Sequence, residues 1–175
     1  GQLQLNTLSV VTVGGEDTPD DGGGDTPDDG GEDTPATGDA ADMALGNNAF
    51  DCTVNGAKTE EEGTIFAKSV ITSSLVKTAM FGADANWGRV LCAIGYAEAD
   101  FEIDKVDVDL ASEFGTIEVC KNGAGVEFSE EVAAKILSAD EIYININLNQ
   151  GNTVAKAWGC DLTYDYVKIN ADYRT

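Results

Sequence analysis

Between Glu141 and Asn149 apolar and polar residues alternate without a break: Ile142, Ile144, Ile146 and Leu148 against Tyr143, Asn145, Asn147 and Asn149. A period of two puts the first set on one face of a strand and the second on the other, so this segment predicts a half-buried strand with a polar outer face. Lys105–Leu110 repeats the pattern, with Val106, Val108 and Leu110 opposed to Asp107 and Asp109. Gly115–Lys121 predicts a further short strand, Gln150-Gly151-Asn152 a turn into a strand over Thr153–Trp158, and Leu162–Ile169 the last strand. Val90–Tyr96 is apolar throughout and predicts a strand buried on both faces. Near the start, Leu8–Val13 is β-prone and predicts one more.

Two stretches carry helix signals instead. Thr59-Glu60-Glu61-Glu62 has the form of a capping box, in which the threonine hydroxyl accepts from the third residue of the helix. The helix it opens should run to about Ser73 and bury Ile65, Phe66, Val70 and Ile71. Ser129-Glu130-Glu131 starts a second helix, with Val132, Ala133, Ile136 and Leu137 inward. Ser74–Phe81 leads into a glycine-flanked turn. Strands interleaved with two main helices give an α/β domain, a mixed sheet covered by helices, over residues 43–175.

What precedes that domain differs in kind. Residues 1–13 hold the N-terminal strand. Residues 14–42 repeat Asp-Thr-Pro and Asp-Asp-Gly-Gly units, contain all three prolines, and carry 11 acids with no base. Such a segment buries too little apolar surface to offset the entropy of ordering it, so it reads as an acidic linker. Its carboxylates are also calcium-ligand chemistry, although the spacing is not that of an EF-hand loop. The whole chain has a net charge of −22. That repels phosphate backbones and anionic lipid, and counts against nucleic-acid or membrane partners. No apolar run reaches the length of a bilayer span.

Cys52, Cys92, Cys120 and Cys160 are widely spaced, and the chain has no histidine. The absence of histidine excludes Ser-His-Asp, Cys-His and His-metal chemistry. Reduced, buried thiols and a cytoplasmic location are the expectation. No cofactor and no metal is expected. Gly123-Ala124-Gly125 lacks a phosphate-loop lysine. Asp161, Asp165 and Asp172 read as solvated carboxylates. Arg89 has two readings, a carboxylate clamp or a structural ion pair with a neighbouring acid. Lys77 likewise reads as a base of lowered pKa or as a snorkelling side chain.

Activity enters through two strings. Ser73–Arg89, running SSLVKTAMFGADANWGR, and Ala157–Thr175, running AWGCDLTYDYVKINADYRT, resemble the C-terminal part of the β chain of ornithine acetyltransferases, the bifunctional glutamate N-acetyltransferases of arginine biosynthesis. The resemblance covers about 120 residues and resumes, after the acidic repeats, at Cys52-Thr53-Val54-Asn55-Gly56-Ala57-Lys58. It implies an N-terminal-nucleophile-like layered sandwich. It also implies self-cleavage of a precursor before a threonine, which then takes an acetyl group from N-acetylornithine and passes it to glutamate. The partner it implies is the α chain of the same precursor, in a heterotetramer. By position Asn170 and Thr175 resemble the family's two C-terminal substrate contacts. No threonine stands at the start of this chain; Thr7 is a displaced candidate, and the catalytic residue is left unassigned. Nor does the family's acidic substrate segment have a counterpart. The alternative reading is therefore an inactive structural or assembly domain of the same fold, or a truncated or engineered sequence.

Overall fold

The structure, a computed structural model, describes residues 10–12 and 48–172. The acidic segment, Thr7 and Thr175 lie outside the described residues. Among those described are strands β1 (Val10–Thr12), β2 (Ala49–Ala57), β3 (Asp107–Ser112), β4 (Gly115–Lys121), β5 (Ala124–Gly125), β6 (Glu141–Asn147) and β7 (Thr153–Cys160). The α-helices are α1 (Glu60–Thr72), α2 (Ser74–Phe81), α3 (Trp87–Gly95), α4 (Glu130–Leu137) and α5 (Tyr164–Asp172). The strands form one seven-stranded mixed sheet in the order β1-β7-β2-β6-β3-β4-β5. Only the β2–β6 pair is parallel among the pairings described.

Register explains where the core lies. Cys52 pairs with Ile144 and Ala157, and Leu110 with Ile144, so these residues point to one side. Phe50, Cys52, Val54, Val108, Leu110, Ile142, Ile144 and Ile146 on that side are all buried. They join one cluster with Phe66, Val70 and Ile71 of α1, Val90 and Ile94 of α3, and Ala133 and Leu137 of α4. The helices therefore cover one face, each buried large apolar side chain contributing about 1.5–3 kcal/mol. The opposite face carries Asp51, Thr53, Tyr143, Asn145, Lys156 and Trp158, as the alternation in β6 predicts.

Local signals place the elements. Thr59 caps α1, its hydroxyl accepting from the Glu62 N–H at 3.1 Å. Gly63 lets α1 settle on β7: a Cβ there would lie 3.0 Å from that of Ala155. The β6–β7 connection is more than the expected turn, because β2 lies between the two strands. It wraps the end of β2, Leu148 N donating to Asn55 O and Gln150 N to Gly56 O, both at 2.9 Å.

Several expectations are corrected. Val90–Tyr96 is not a strand; it falls largely within α3, where Val90, Leu91, Ala93 and Ile94 are buried and Cys92 is exposed. A short apolar run fits either a buried strand or a helix stripe, and the Asn86 cap decides it for the helix. Ser74–Phe81 is itself helical, so three helices, not one, separate β2 from β3. Leu162–Ile169 is not a strand either. Thr163 accepts from Tyr166 N at 3.0 Å and opens α5, so a cap overrides the β-propensity of Tyr164, Tyr166, Val167 and Ile169. In α4 the buried stripe is Ala133, Ile136 and Leu137; Val132 lies off it and is 50% exposed. Ile65 is only half-buried.

Candidate active site

The segment from Gly82 to Asn86 is a turn between α2 and α3, whose first residues are Trp87, Gly88 and Arg89. Asn86 accepts from the Arg89 N–H at 3.1 Å and so caps α3, while its amide donates to Asp84 Oδ2 at 3.0 Å. The Arg89 guanidinium donates to Leu75 O at 3.0 Å and to Thr78 Oγ1 at 3.2 Å. It therefore braces α3 against α2, and among the described residues it makes no ion pair with a carboxylate. Trp87 lies over Gly125, where a Cβ would come within 2.4 Å of the indole. This string is, in its geometry, a packing device. Lys77 is half-buried near the half-buried Cys160 thiol. Burial pushes that thiol above its ordinary value; Lys77 opposes the shift and Asp161 adds to it.

The C-terminal string leaves β7 through a buried stretch. Asp161 and Thr163 are 2% and 5% exposed. Leu162 N donates to Lys77 O at 3.3 Å, and the Tyr164 ring meets Phe81 edge to face at 5.5 Å. These contacts seat the start of α5 at the C-terminal end of α2. Asn170 is exposed near the far end of α5, its amide donating to Tyr166 O of the same helix at 2.8 Å. Thr175, the other expected contact, lies outside the described residues.

A second group was not singled out by the sequence. Asp51 is paired with Trp158 on one side and Tyr143 on the other, all three on the face without helices. They line a cavity of about 290 Å3 with Glu141, whose Oε2 accepts from the Tyr143 hydroxyl at 3.0 Å. That hydrogen bond and the Glu141 charge raise the Tyr143 pKa. Lys156 lies 3.6 Å from Asp51. The outward position of each residue was legible in the strand alternation. Their adjacency was not, since β7, β2 and β6 are distant in the chain.

All four cysteines are free thiols; Cys52 and Cys120 are buried, whereas Cys92 is exposed, against expectation. Burial, with Asp51 adding to it, pushes the Cys52 thiol far above its ordinary range and makes it inert as a nucleophile. Among the described residues no group of three or more His, Cys, Asp or Glu could hold a metal. No described helix is long and apolar enough to cross a membrane.

A family model described as the ArgJ family matches residues 40–175. The chain is 51% identical over 125 residues to the arginine biosynthesis bifunctional protein ArgJ 1 of Clostridium acetobutylicum, covering 71% of this chain and 31% of that protein. It is 47% identical over 136 residues to the ArgJ protein of Staphylococcus epidermidis, covering 78% of this chain and 33% of that one. The crystal structure of the Bacillus halodurans argJ protein superposes with a TM-score of 0.70 at 44% identity, covering 77% of this chain and 62% of that chain. The chain thus spans about a third of the length of the full relatives it matches.

Proposed function

Because the chain belongs to the ArgJ family, we propose that it forms the C-terminal portion of an acetyltransferase in arginine biosynthesis, moving an acetyl group from N-acetylornithine to glutamate. The observation that carries this reading is the match over residues 40–175, which takes in both the α2–α3 brace and the α5 tail. The partner is the α chain of the same precursor, in a heterotetramer, and the setting is the cytoplasm. A threonine hydroxyl attacks the acetyl carbonyl, ornithine leaves with its amine, and the amine of glutamate then attacks the acyl ester. The threonine is not assigned to a residue of this chain.

Asn170 and Thr175 would meet substrate. Asn170 sits at the exposed end of α5, where its amide has an acceptor and a second donor left beside the bond to Tyr166 O. The Thr175 carboxylate suits an ammonium group. In a heteromer restored with the complementary region of a close relative, Asn170→Ala should raise the KM for N-acetylornithine about tenfold, roughly the worth of a charge-assisted hydrogen bond. An unchanged KM in a folded heteromer would make Asn170 a helix-terminal packing residue. The other reading, an inactive assembly domain, draws on one observation: Asn86 and Arg89, within the string that resembles the family, spend polar groups on helix caps and braces.

A further inference from the structure

Among the described residues no helix packs on the second face of the sheet, and one end of that face has a defined chemistry. In the row Trp158–Asp51–Tyr143 a carboxylate stands between two aromatic side chains on neighbouring strands. Adjacent strands are about 4.8 Å apart, so the two aromatics flank the carboxylate at the width of a side-chain head group. The cavity of about 290 Å3 over this row adjoins a second, of about 320 Å3, lined by Glu113, Asp140, Glu141 and Tyr143. Four carboxylates thus border the two hollows, with Lys156 beside Asp51 as the base in contact with them. Aromatic faces and carboxylates both attract organic cations, and the attraction strengthens when water is displaced.

We propose that this end of the second face is a docking site for a polypeptide segment that presents an arginine or lysine side chain, its head group held over Asp51 and between Trp158 and Tyr143. The segment would come from the part of the family polypeptide that this chain does not include, so the choice of partner rests on the heteromeric reading above. Charge decides between occupants. The chain's own segment 14–42, with 11 acids and no base, is repelled by this surface, and a second copy would set the same carboxylates against each other. A basic segment is complementary. Asp51 is already partly engaged: its side chain is 13% exposed, accepts from the Thr53 hydroxyl at 2.9 Å and lies 3.6 Å from Lys156, a long contact with which the incoming cation would compete.

The test uses the full chain and blocked glycyl-X-glycine peptides with X arginine, lysine or glutamate, read by the indole N–H resonance of Trp158, assigned through Trp158→Phe. The arginine and lysine peptides should shift it, the glutamate peptide should not, and added salt should weaken the effect. Asp51→Asn with Glu141→Gln, both isosteric, should weaken the basic peptides about tenfold in a protein that still unfolds cooperatively. Equal shifts with all three peptides, or none with any, would overturn the proposal. So would tighter binding of free L-arginine than of the peptides, which would mark a small-molecule site, or self-association that buries Trp158. None of these readouts depends on acetyl transfer, so the result stands apart from the fate of the enzymatic reading.

Discussion

At the scale of single residues, two aspartates on β3 show how position decides the sign of a charge's effect. Asp107 is drawn upward in pKa by burial, but more strongly downward by the Asn122 N–H, the Lys121 ammonium and the Asn149 amide, and its net shift is below its ordinary value. The bonds are 2.9 Å from Asn122 N and 3.0 Å each from Lys121 and Asn149. A depressed carboxylate contributes stability above its unfolded pKa, and that contribution is lost as pH falls through the folded one. Stability from this group should therefore decline below about pH 4. Asp107→Ala should cost about 1–3 kcal/mol at neutral pH in a denaturation series, because it leaves three donors without their acceptor. Asp109 is shifted upward by burial and by Glu118, which it faces directly across β3 and β4, with Lys121 opposing. Its preference for the folded state is full at low pH and is lost as pH rises through the folded pKa. Asp109→Asn should accordingly raise the thermal midpoint at pH 7, by an amount matching a like-charge cross-strand pair, about 0.2–1 kcal/mol. In sequence these two aspartates were the same letter on the same strand face. What separates them, the turn at Asn122 and the crossing of Asn149, comes from register.

At the scale of elements, period-two segments were legible and short apolar runs were not. β3 and β6 sit close to where alternation places them, since a one-residue slip would turn Ile142, Ile144 and Ile146 to the outside. Val90–Tyr96 and Leu162–Ile169 became helical because a side-chain cap, Asn86 or Thr163, outweighed composition. Asn86→Ala should thus destabilise the protein by about 0.5–2 kcal/mol by leaving the first turn of α3 uncapped. Calorimetry would read this, and a loss indistinguishable from zero would mean that the Arg89 brace alone holds α3. The same correction changes how the tail is delivered. Asn170 rides on a helix seated by the Phe81–Tyr164 contact, so its placement depends on α2 as well as on the end of β7.

At the scale of the whole molecule, β1 and β2 are both antiparallel to β7 and flank it, so they run parallel to each other. Thr12, opposite Ala155, and Ala49, opposite Cys160, are separated by five residues of strand and two strand spacings, roughly 20 Å. A handful of extended residues covers it. Replacing residues 14–42 by a short glycine-serine linker should therefore leave the thermal midpoint almost unchanged, and loss of cooperative unfolding would show the acidic segment to be structural. The mixed α/β class was readable from the strand and helix signals. Which face of the sheet the described helices cover required long-range pairing that no local signal encodes.

The central claim, that this domain completes an acetyltransferase, is tested most directly by acetyl transfer from N-acetylornithine to glutamate, measured on the chain alone and after assembly with the complementary region of a close relative. The account predicts no transfer by the chain alone and transfer through an acetylated threonine, seen by mass spectrometry, in the assembled protein. A folded, stoichiometric assembly that transfers no acetyl group would contradict it.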